Sequence, residues 1–372
     1  MKIAFLGTKG IPNNYGGFEQ FAEYISIALA ARGHEVTVYN PSFHPYRNQE
    51  YKGVRIKTIY SPEKWIGGAA NFLYDHLCLK HALKQDFDII YEAGYHSVAF
   101  SYKMLNIRKY KRPVLITNMD GLEWKRSKWS FWVQWLIRKL EVIAVRESPH
   151  LVSDNMGIRQ YYLDRFNRDS FFIPYGADPV YEFNPQTLIK YQVQQENYFM
   201  LIARMEPENN IELILEGYTQ SGHKAPFLVV GNYNSRFGQT MQKKFSSAVR
   251  FVGAIYDKKE LDALRHFSKA YMHGHSVGGT NPSLLEAMSC ESFILSHDNP
   301  FNRSVLGDDA TYFATPEQLA SHLNAMDDLV KKNGTLFKKG NLDKIINQYN
   351  WDKITSTHEN LFSELLRKDQ RS

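Results

Sequence analysis

The chain has 372 residues, 43% of them hydrophobic and 23% charged, with two cysteines and a formal net charge of +6. At roughly 150 residues per domain this length suggests two domains with full cores, and the balanced composition excludes a disordered, collagenous or disulfide-stapled chain. No uncharged apolar run approaches the ~18 residues of a membrane span, the start Met1–Gly7 is too short for a signal peptide, and Cys78 and Cys290 alone fit a reducing, cytoplasmic compartment.

Lys2–Gly7 is a short apolar run that reads as a strand. In Phe18–Arg32 the apolar residues Phe18, Phe21, Ala22, Ile25, Ala28 and Leu29 follow the one-faced period of a helix, with Gly33 as its C-terminal cap. Glu35–Tyr39 is the next strand, so the chain opens as strand, loop, helix, strand. Further strands are predicted at Val54–Tyr60, Phe87–Glu92 and Pro113–Asn118, and helices at Asn71–Lys84 and Trp129–Val145. Leu151–Asp154 and Phe171–Pro174 close the first half. The pattern then restarts, with strands at Tyr198–Ala203, Phe227–Gly231, Val249–Val252, Ala270–His273 and Phe293–His297. Helices are predicted at Ile211–Thr219, Lys258–Arg265, Pro282–Met288, Pro316–Lys332 and Asp352–Lys368. Alternating strands and helices imply parallel sheets covered on both faces. Two such halves predict an α/β chain of two Rossmann-like domains, with a seam near Pro174–Pro185 and ligands at the carboxyl ends of the strands, in the cleft where the two sheets face each other.

The charge is unevenly placed. Residues 1–175 hold 24 Lys/Arg against 16 Asp/Glu, and Tyr102–Arg146 alone hold 11 against 3. Beside Trp124, Trp129, Phe131, Trp132 and Trp135 this makes a surface suited to an anionic partner. Anionic membrane and lipid-linked phosphate both fit; so does a plain solvated helix face with its aromatics in the core. No nucleic-acid recognition module is present, so nucleic acid is not expected as a partner.

Two segments carry chemistry. The first loop, Gly7–Glu19, matches neither the dinucleotide glycine pattern nor a P-loop, but Gly16-Gly17 stand just before a helix N-terminus, where backbone N–H groups favour an anion. The second segment, His273–Met288, ends a strand, passes through a Gly-rich turn and enters a helix at Pro282. Free N–H groups of Asn281, Ser283 and Leu284 are expected to cradle a diphosphate, and Glu286, one turn inside the helix, to accept from ribose hydroxyls. Asp86-Phe87-Asp88 spells a metal-binding pattern but precedes a strand, so a structural role is expected. The histidines and cysteines show no zinc spacing, and no metal or cofactor is expected.

These pieces, in order along the whole chain, resemble the GT-B glycosyltransferases of the large retaining family numbered four. The matching residues are the opening strand with Gly16-Gly17, Arg32–Val38, Val152-Ser153-Asp154, Ile173–Asp178, Ala203–Ile211, Phe251-Val252-Gly253 and Pro282–Met288. Trp351–Leu366 is similar to the family's closing helix, which crosses back onto the first domain. The resemblance implies an acceptor-side domain of residues 1–178 joined by helix 352–372, and a nucleotide-sugar domain of residues 179–351. It implies that Arg204 binds the donor diphosphate, Glu286 the ribose, and Asp120 the acceptor or sugar, these three being the catalytic candidates. Donor contacts are expected from Gly16, Gly17, Asn209, His275, Gly279, Thr280, Asn281, Pro282, Ser283 and Leu284. Acceptor contacts are expected from Tyr15, Phe18, Glu19, Glu92, Tyr95, His96 and Trp124.

Three positions depart from the family pattern. Asn209 stands where a Lys is usual, Gly278 where a Glu is usual, and Met119 where a His is frequent. Loss of one cation and one carboxylate together is charge-balanced, and Asn209, His275 and Asn281 are the polar candidates to compensate. With Asn118–Arg126 and His275–Met288 the chain resembles the rhamnosyltransferase-like subgroup of bacterial polysaccharide synthesis, which implies dTDP-L-rhamnose as donor. A 6-deoxy sugar needs fewer polar partners. The implied acceptor is a lipid-linked saccharide at the inner membrane face. The rivals are a UDP- or GDP-sugar donor, an epimerase or hydrolase of the same fold, and a non-catalytic nucleotide-sugar-binding protein.

Overall fold

The computed structural model describes residues 1–14, 16–119, 121–126 and 129–369. They form two compact units. One comprises Met1–Lys125, Trp129–Tyr175 and Trp351–Ser372; the other comprises Arg126–Lys128 and Gly176–Asn350.

The first unit begins β1 (Lys2–Leu6), α1 (Gly17–Ala31), β2 (Glu35–Pro41), β3 (Glu50–Tyr51), β4 (Val54–Ile59), α2 (Glu63–Ile66) and α3 (Ala70–Ala82). It continues β5 (Ile89–Glu92), α4 (Ala99–Met104), β6 (Val114–Asn118), α5 (Phe131–Glu147), β7 (His150–Ser153), α6 (Met156–Phe166) and β8 (Phe171–Phe172). Its sheet has the order β3-β4-β2-β1-β5-β6-β7-β8. All pairs are parallel except β3 with β4. Ile3 to Leu6 are wholly buried, as expected of a parallel strand covered on both faces.

The second unit holds α7 (Thr187–Lys190), β9 (Phe199–Ile202), α8 (Ile211–Ser221), β10 (Phe227–Val230), α9 (Arg236–Phe245), β11 (Arg250–Gly253) and α10 (Lys258–Phe267). After these come β12 (Ala270–His273), α11 (Pro282–Ser289), β13 (Ile294–His297), α12 (Pro300–Leu306), β14 (Thr311–Phe313), α13 (Pro316–Asn324) and α14 (Met326–Lys344). The sheet is parallel, in the order β11-β10-β9-β12-β13-β14. The helix expected across Pro316–Lys332 is two helices: at Ala325 the backbone turns to φ −98°, ψ 14°, and Leu319, Leu323 and Met326 all reach the core.

In both sheets the strand order reverses once, between β1 and β5 and between β9 and β12. In an open α/β sheet that reversal leaves a crevice at the strands' carboxyl ends, and the loops that flank it are those the sequence motifs occupy.

The last helix, α15 (Trp351–Asp369), belongs to the first unit. Arg32 Nη1 pairs with Glu359 at 2.9 Å and Nη2 with Asp352 at 2.5 Å, while His34 Nε2 meets Glu359 at 2.8 Å. Trp351 stacks on Tyr24 of α1 at 4.6 Å. The Arg32-Gly33-His34 segment therefore serves to dock the final helix. His358 is buried against Phe21, Tyr91 and Phe362, with Nδ1–H donated to the Ile354 carbonyl at 2.9 Å.

Burial lowers the His358 pKa from 6.5 to about 4. The unfolded chain therefore binds more protons below pH 6.5, and the stability held above that pH is lost as the pH falls toward about 4. Thermal midpoints should drop across this window, and His358→Gln, which cannot take the proton, should flatten the drop. An unchanged slope would assign the acid sensitivity elsewhere.

Candidate functional site

At the reversal in the second sheet, the loop after β9 (203–210) and the loop after β12 (274–281) run side by side and are tied by side chains. Asn209 Nδ2 donates to the Arg204 carbonyl at 2.7 Å, which leaves its Oδ1 to face His275 Nδ1 at 2.8 Å. That arrangement places the imidazole hydrogen on Nδ1. Asn210 Nδ2 donates to the Gly274 carbonyl at 2.7 Å, and the Ser276 hydroxyl to the Glu208 carbonyl at 2.8 Å. From α12 and the residue before it, Asn302 and Asn299 both donate to the His275 carbonyl. A Cβ at Gly274 would lie 2.1 Å from the Asn209 carbonyl oxygen, so only glycine allows this approach.

Burial, then the neighbouring His273, hold the His275 pKa well below its ordinary value, so the ring is neutral. Gly278 has φ +127°, and a Cβ there would stand 3.0 Å from His275 Nε2. Glycine is the residue this backbone accommodates without strain. Arg204 is exposed and pairs with no carboxylate among the described residues.

At the start of α11 the structure corrects one expectation. The Asn281 side chain accepts from the Ser283 N–H at 2.9 Å, and the Leu284 N–H donates to the Asn281 carbonyl at 3.0 Å. These amides are satisfied within the chain rather than free for a diphosphate, and the Leu284 side chain is core. Thr280 is buried; Gly279, Asn281, Pro282 and Ser283 are half-buried. Glu286 Oε2 is held at 2.5 Å by Arg265, whose other nitrogen meets Asp262 at 3.2 Å. Arg265 is 1% exposed and Glu286 20%, so the carboxylate is anchored from behind with its face outward. Arg265 was not a sequence candidate: its partner lies 21 residues away on another helix, and spacing carries no trace of it.

In the first unit several acceptor candidates prove internal. Glu19 is buried and takes the Lys9 N–H at 2.8 Å; burial raises its pKa. It shapes its own loop, whose Lys9 ammonium pairs with Glu63 at 2.5 Å. Gly16 caps α1 in extended backbone; Gly17 is the helix's first residue. Glu92 ends β5 wholly buried, and neither carboxyl oxygen has a partner among the described residues. Burial, aided by nearby Asp75, pushes its pKa well up. Asp75, buried and hydrogen-bonded to Ser97, is itself raised to about 7 by burial. Tyr95 is buried, with half-buried His96 edge-on to it, and Phe18 is half-buried. Trp124 donates from Nε1 to buried Glu141 at 3.2 Å and carries Arg138 over its ring at 4.6 Å. Exposed access to an acceptor is therefore corrected for Glu19, Glu92 and Tyr95. Tyr15 and Asp120 lie outside the described residues. Asp86 pairs with Lys2 at 2.7 Å and Asp88 accepts the Lys2 N–H at 2.8 Å, at the opposite end of β1 from the motif loops.

Residues 188–349 match the family model described as glycosyl transferases group 1. The matched stretch lies within the second unit. Residues 1–178 match a model described as a domain of unknown function, DUF1972, and no curated protein matches the chain. Solved structures similar to this chain over nearly its whole length include sucrose-phosphate synthase from Thermosynechococcus elongatus, at 15% identity and TM-score 0.77, covering 99% of both chains. Another is Anabaena HepE in complex with UDP and glucose, at 15% identity and TM-score 0.75, covering 98% of this chain and 100% of that one. A third is an α,α-trehalose-phosphate synthase (UDP-forming) from Burkholderia xenovorans with glucose-6-phosphate, at 10% identity and TM-score 0.74, covering 98% and 100%. At such identities the likeness shows the fold, which is GT-B.

Within the second unit the structure brings Arg204, Asn209 and His275 to one crevice and anchors Glu286 on the adjoining helix. Arg265→Leu would leave Asp262 and Glu286 without their buried partner, at a cost of roughly 3–5 kcal/mol, read as a lowered urea midpoint. Gly278→Ala should cost about 1–3 kcal/mol from the backbone alone; a neutral result would show that the loop relaxes freely.

Proposed function

We propose that the protein transfers a sugar from a nucleotide donor to a saccharide acceptor with retention, and that the donor is dTDP-L-rhamnose. The observation that carries this is the crevice between β9 and β12, where exposed Arg204 stands beside a neutral, pre-positioned Asn209–His275 pair. Arg204 presents a fixed fork of donors to the leaving diphosphate, where negative charge develops. The dipole at the start of α11 adds to it, Glu286 takes the ribose hydroxyls, and no metal is required. No residue stands as a covalent nucleophile, so the acceptor hydroxyl attacks from the face the diphosphate leaves, with Asp120 positioning it. The preference for a 6-deoxy sugar rests on what lines the site: Gly278 has no side chain and His275 no charge, so little is offered to an additional hydroxyl. The acceptor we assign is a lipid-linked saccharide of a bacterial surface polysaccharide, met from the cytoplasm.

A second reading has its own support. The similar Anabaena structure holds UDP and glucose, which favours a UDP-sugar on the same scaffold.

A thermal-shift panel of dTDP-rhamnose, UDP-glucose, UDP-galactose, UDP-N-acetylglucosamine and GDP-mannose separates the two. A bound donor at ~100 times its Kd stabilises the fold by about 2.7 kcal/mol. The expected result is a shift with dTDP-rhamnose that Arg204→Ala and Glu286→Ala abolish, and a fall in kcat/KM of about 10²–10³ for Arg204→Ala, the size seen when one such donor to developing charge is removed. A shift with a UDP-sugar alone overturns rhamnose and keeps transfer. No shift with any donor overturns both.

A further inference from the structure

Helix α5 is built outside-in. Its first two turns expose Phe131 (71%), Trp132 (75%), Trp135 (51%) and Leu136, a cluster of large apolar side chains that water alone does not favour. Glu141, in its third turn, is wholly buried, bound by Trp124 Nε1 and by the Tyr161 hydroxyl at 2.9 Å. Between Phe131 and Arg146 the charged side chains left outward are Arg138, Lys139 and Arg146. Beside the aromatics a pocket of about 200 Å³ is lined by Trp135, Arg138, Lys139, Val142 and Arg165. Its three cations are steered by rings: Arg138 lies 4.6 Å from the Trp124 centroid, Lys139 5.4 Å from Trp135, and Arg165 5.3 Å from Phe166. Arg165 donates to the Tyr161 hydroxyl at 2.9 Å and its charge acts on Glu141, while Arg138 and Lys139 form no ion pair among the described residues. Acids of this region are engaged elsewhere, Glu141 as above, Asp164 by the Gln160 amide at 2.6 Å and Glu147 by Arg108 at 3.5 Å. Neighbouring α4, which packs on α5, adds exposed Phe100 and Met104.

We propose that this pocket seats the phosphate-bearing headgroup of an anionic phospholipid, and that the α4–α5 face of the first unit docks on a lipid surface. Exposed Arg138 and Lys139 beside an apolar wall match an anionic phosphate diester whose acyl chains continue past Phe131, Trp132 and Trp135. The volume is below the ~300 Å³ at which ordinary small-molecule sites begin. Trp and Phe beside Lys and Arg form the pattern that rests at a bilayer interface, and no helix among the described residues is long and apolar enough to cross the bilayer. The surface is read from the first unit alone and does not rest on the donor assignment.

The test is flotation of the full chain with vesicles of phosphatidylcholine, alone or mixed with phosphatidylglycerol, without any nucleotide sugar. Binding is expected only with phosphatidylglycerol, with a blue shift of tryptophan fluorescence. Lys139→Glu should weaken it at least about fivefold, from ~1 kcal/mol per charge at an anionic surface, and Trp132→Ser with Phe131→Ser should remove the blue shift. Phe131, Trp132 and Lys139 are exposed, so these variants should keep the parent melting temperature. Absence of binding at low salt overturns the proposal, as does binding that the variants leave unchanged. So does displacement by millimolar inorganic phosphate with no preference for vesicles, which would make this a soluble-phosphate site. A concentration-dependent dimer dispersed by Trp132→Ser would instead make the face a self-association surface.

Discussion

One neutral hydrogen bond, His275 Nδ1 to Asn209 Oδ1 at 2.8 Å, joins the two loops that border the crevice of the second unit. It forms because Gly274 lets one loop press against the Asn209 carbonyl, and because Asn210, Ser276, Asn299 and Asn302 tie the backbone on either side. A charged pair in that buried place would have to recover a desolvation cost of several kcal/mol per ion. A His–Asn pair avoids the cost and still orients a polar ring.

Where the protein does bury charge, it anchors it in pairs or triads. Arg265 sits between Asp262 and Glu286, Glu141 beneath Trp124 and Tyr161, and Arg32 and His34 on Glu359. Each anchoring frees a neighbour for outward work. Arg265 steadies Glu286 at the mouth of the crevice, and with Glu141 turned inward Arg138 and Lys139 form no ion pair among the described residues. Glu19, Asp75 and Glu92 differ: burial raises their pKa values and so favours the neutral form.

Much of the fold was legible because apolar periodicity is strong where an element packs on one face. The strand at Ala270–His273 and the starts of α8, α10 and α11 fall at the residues the pattern indicates. Helices with thin apolar faces were not legible. Helix α6 buries only Ile158 and Tyr162, and α9 only Gly238, Met241 and Phe245, too few to mark a period. Site residues divide in the same way. Arg204, Asn209, His275 and Glu286 could be named because their motifs lie on loops after strands. Glu19 and Glu92 looked equally chemical in sequence, and folding turned them inward.

The sequence by itself determined the alternation of strand and helix, and with it parallel sheets and loops at their carboxyl ends, because hydrophobic period is a local property of the chain. It also determined the uneven charge of the first half. Only the tertiary structure decided which polar groups meet. Asn209 and His275 are 66 residues apart, Arg32 and Glu359 are 327 apart, and whether Glu141 or Trp132 faces water depends on helices that pack around α5. Contacts between residues far apart in the chain, and the burial that sets their protonation, arise from packing and leave no periodic trace.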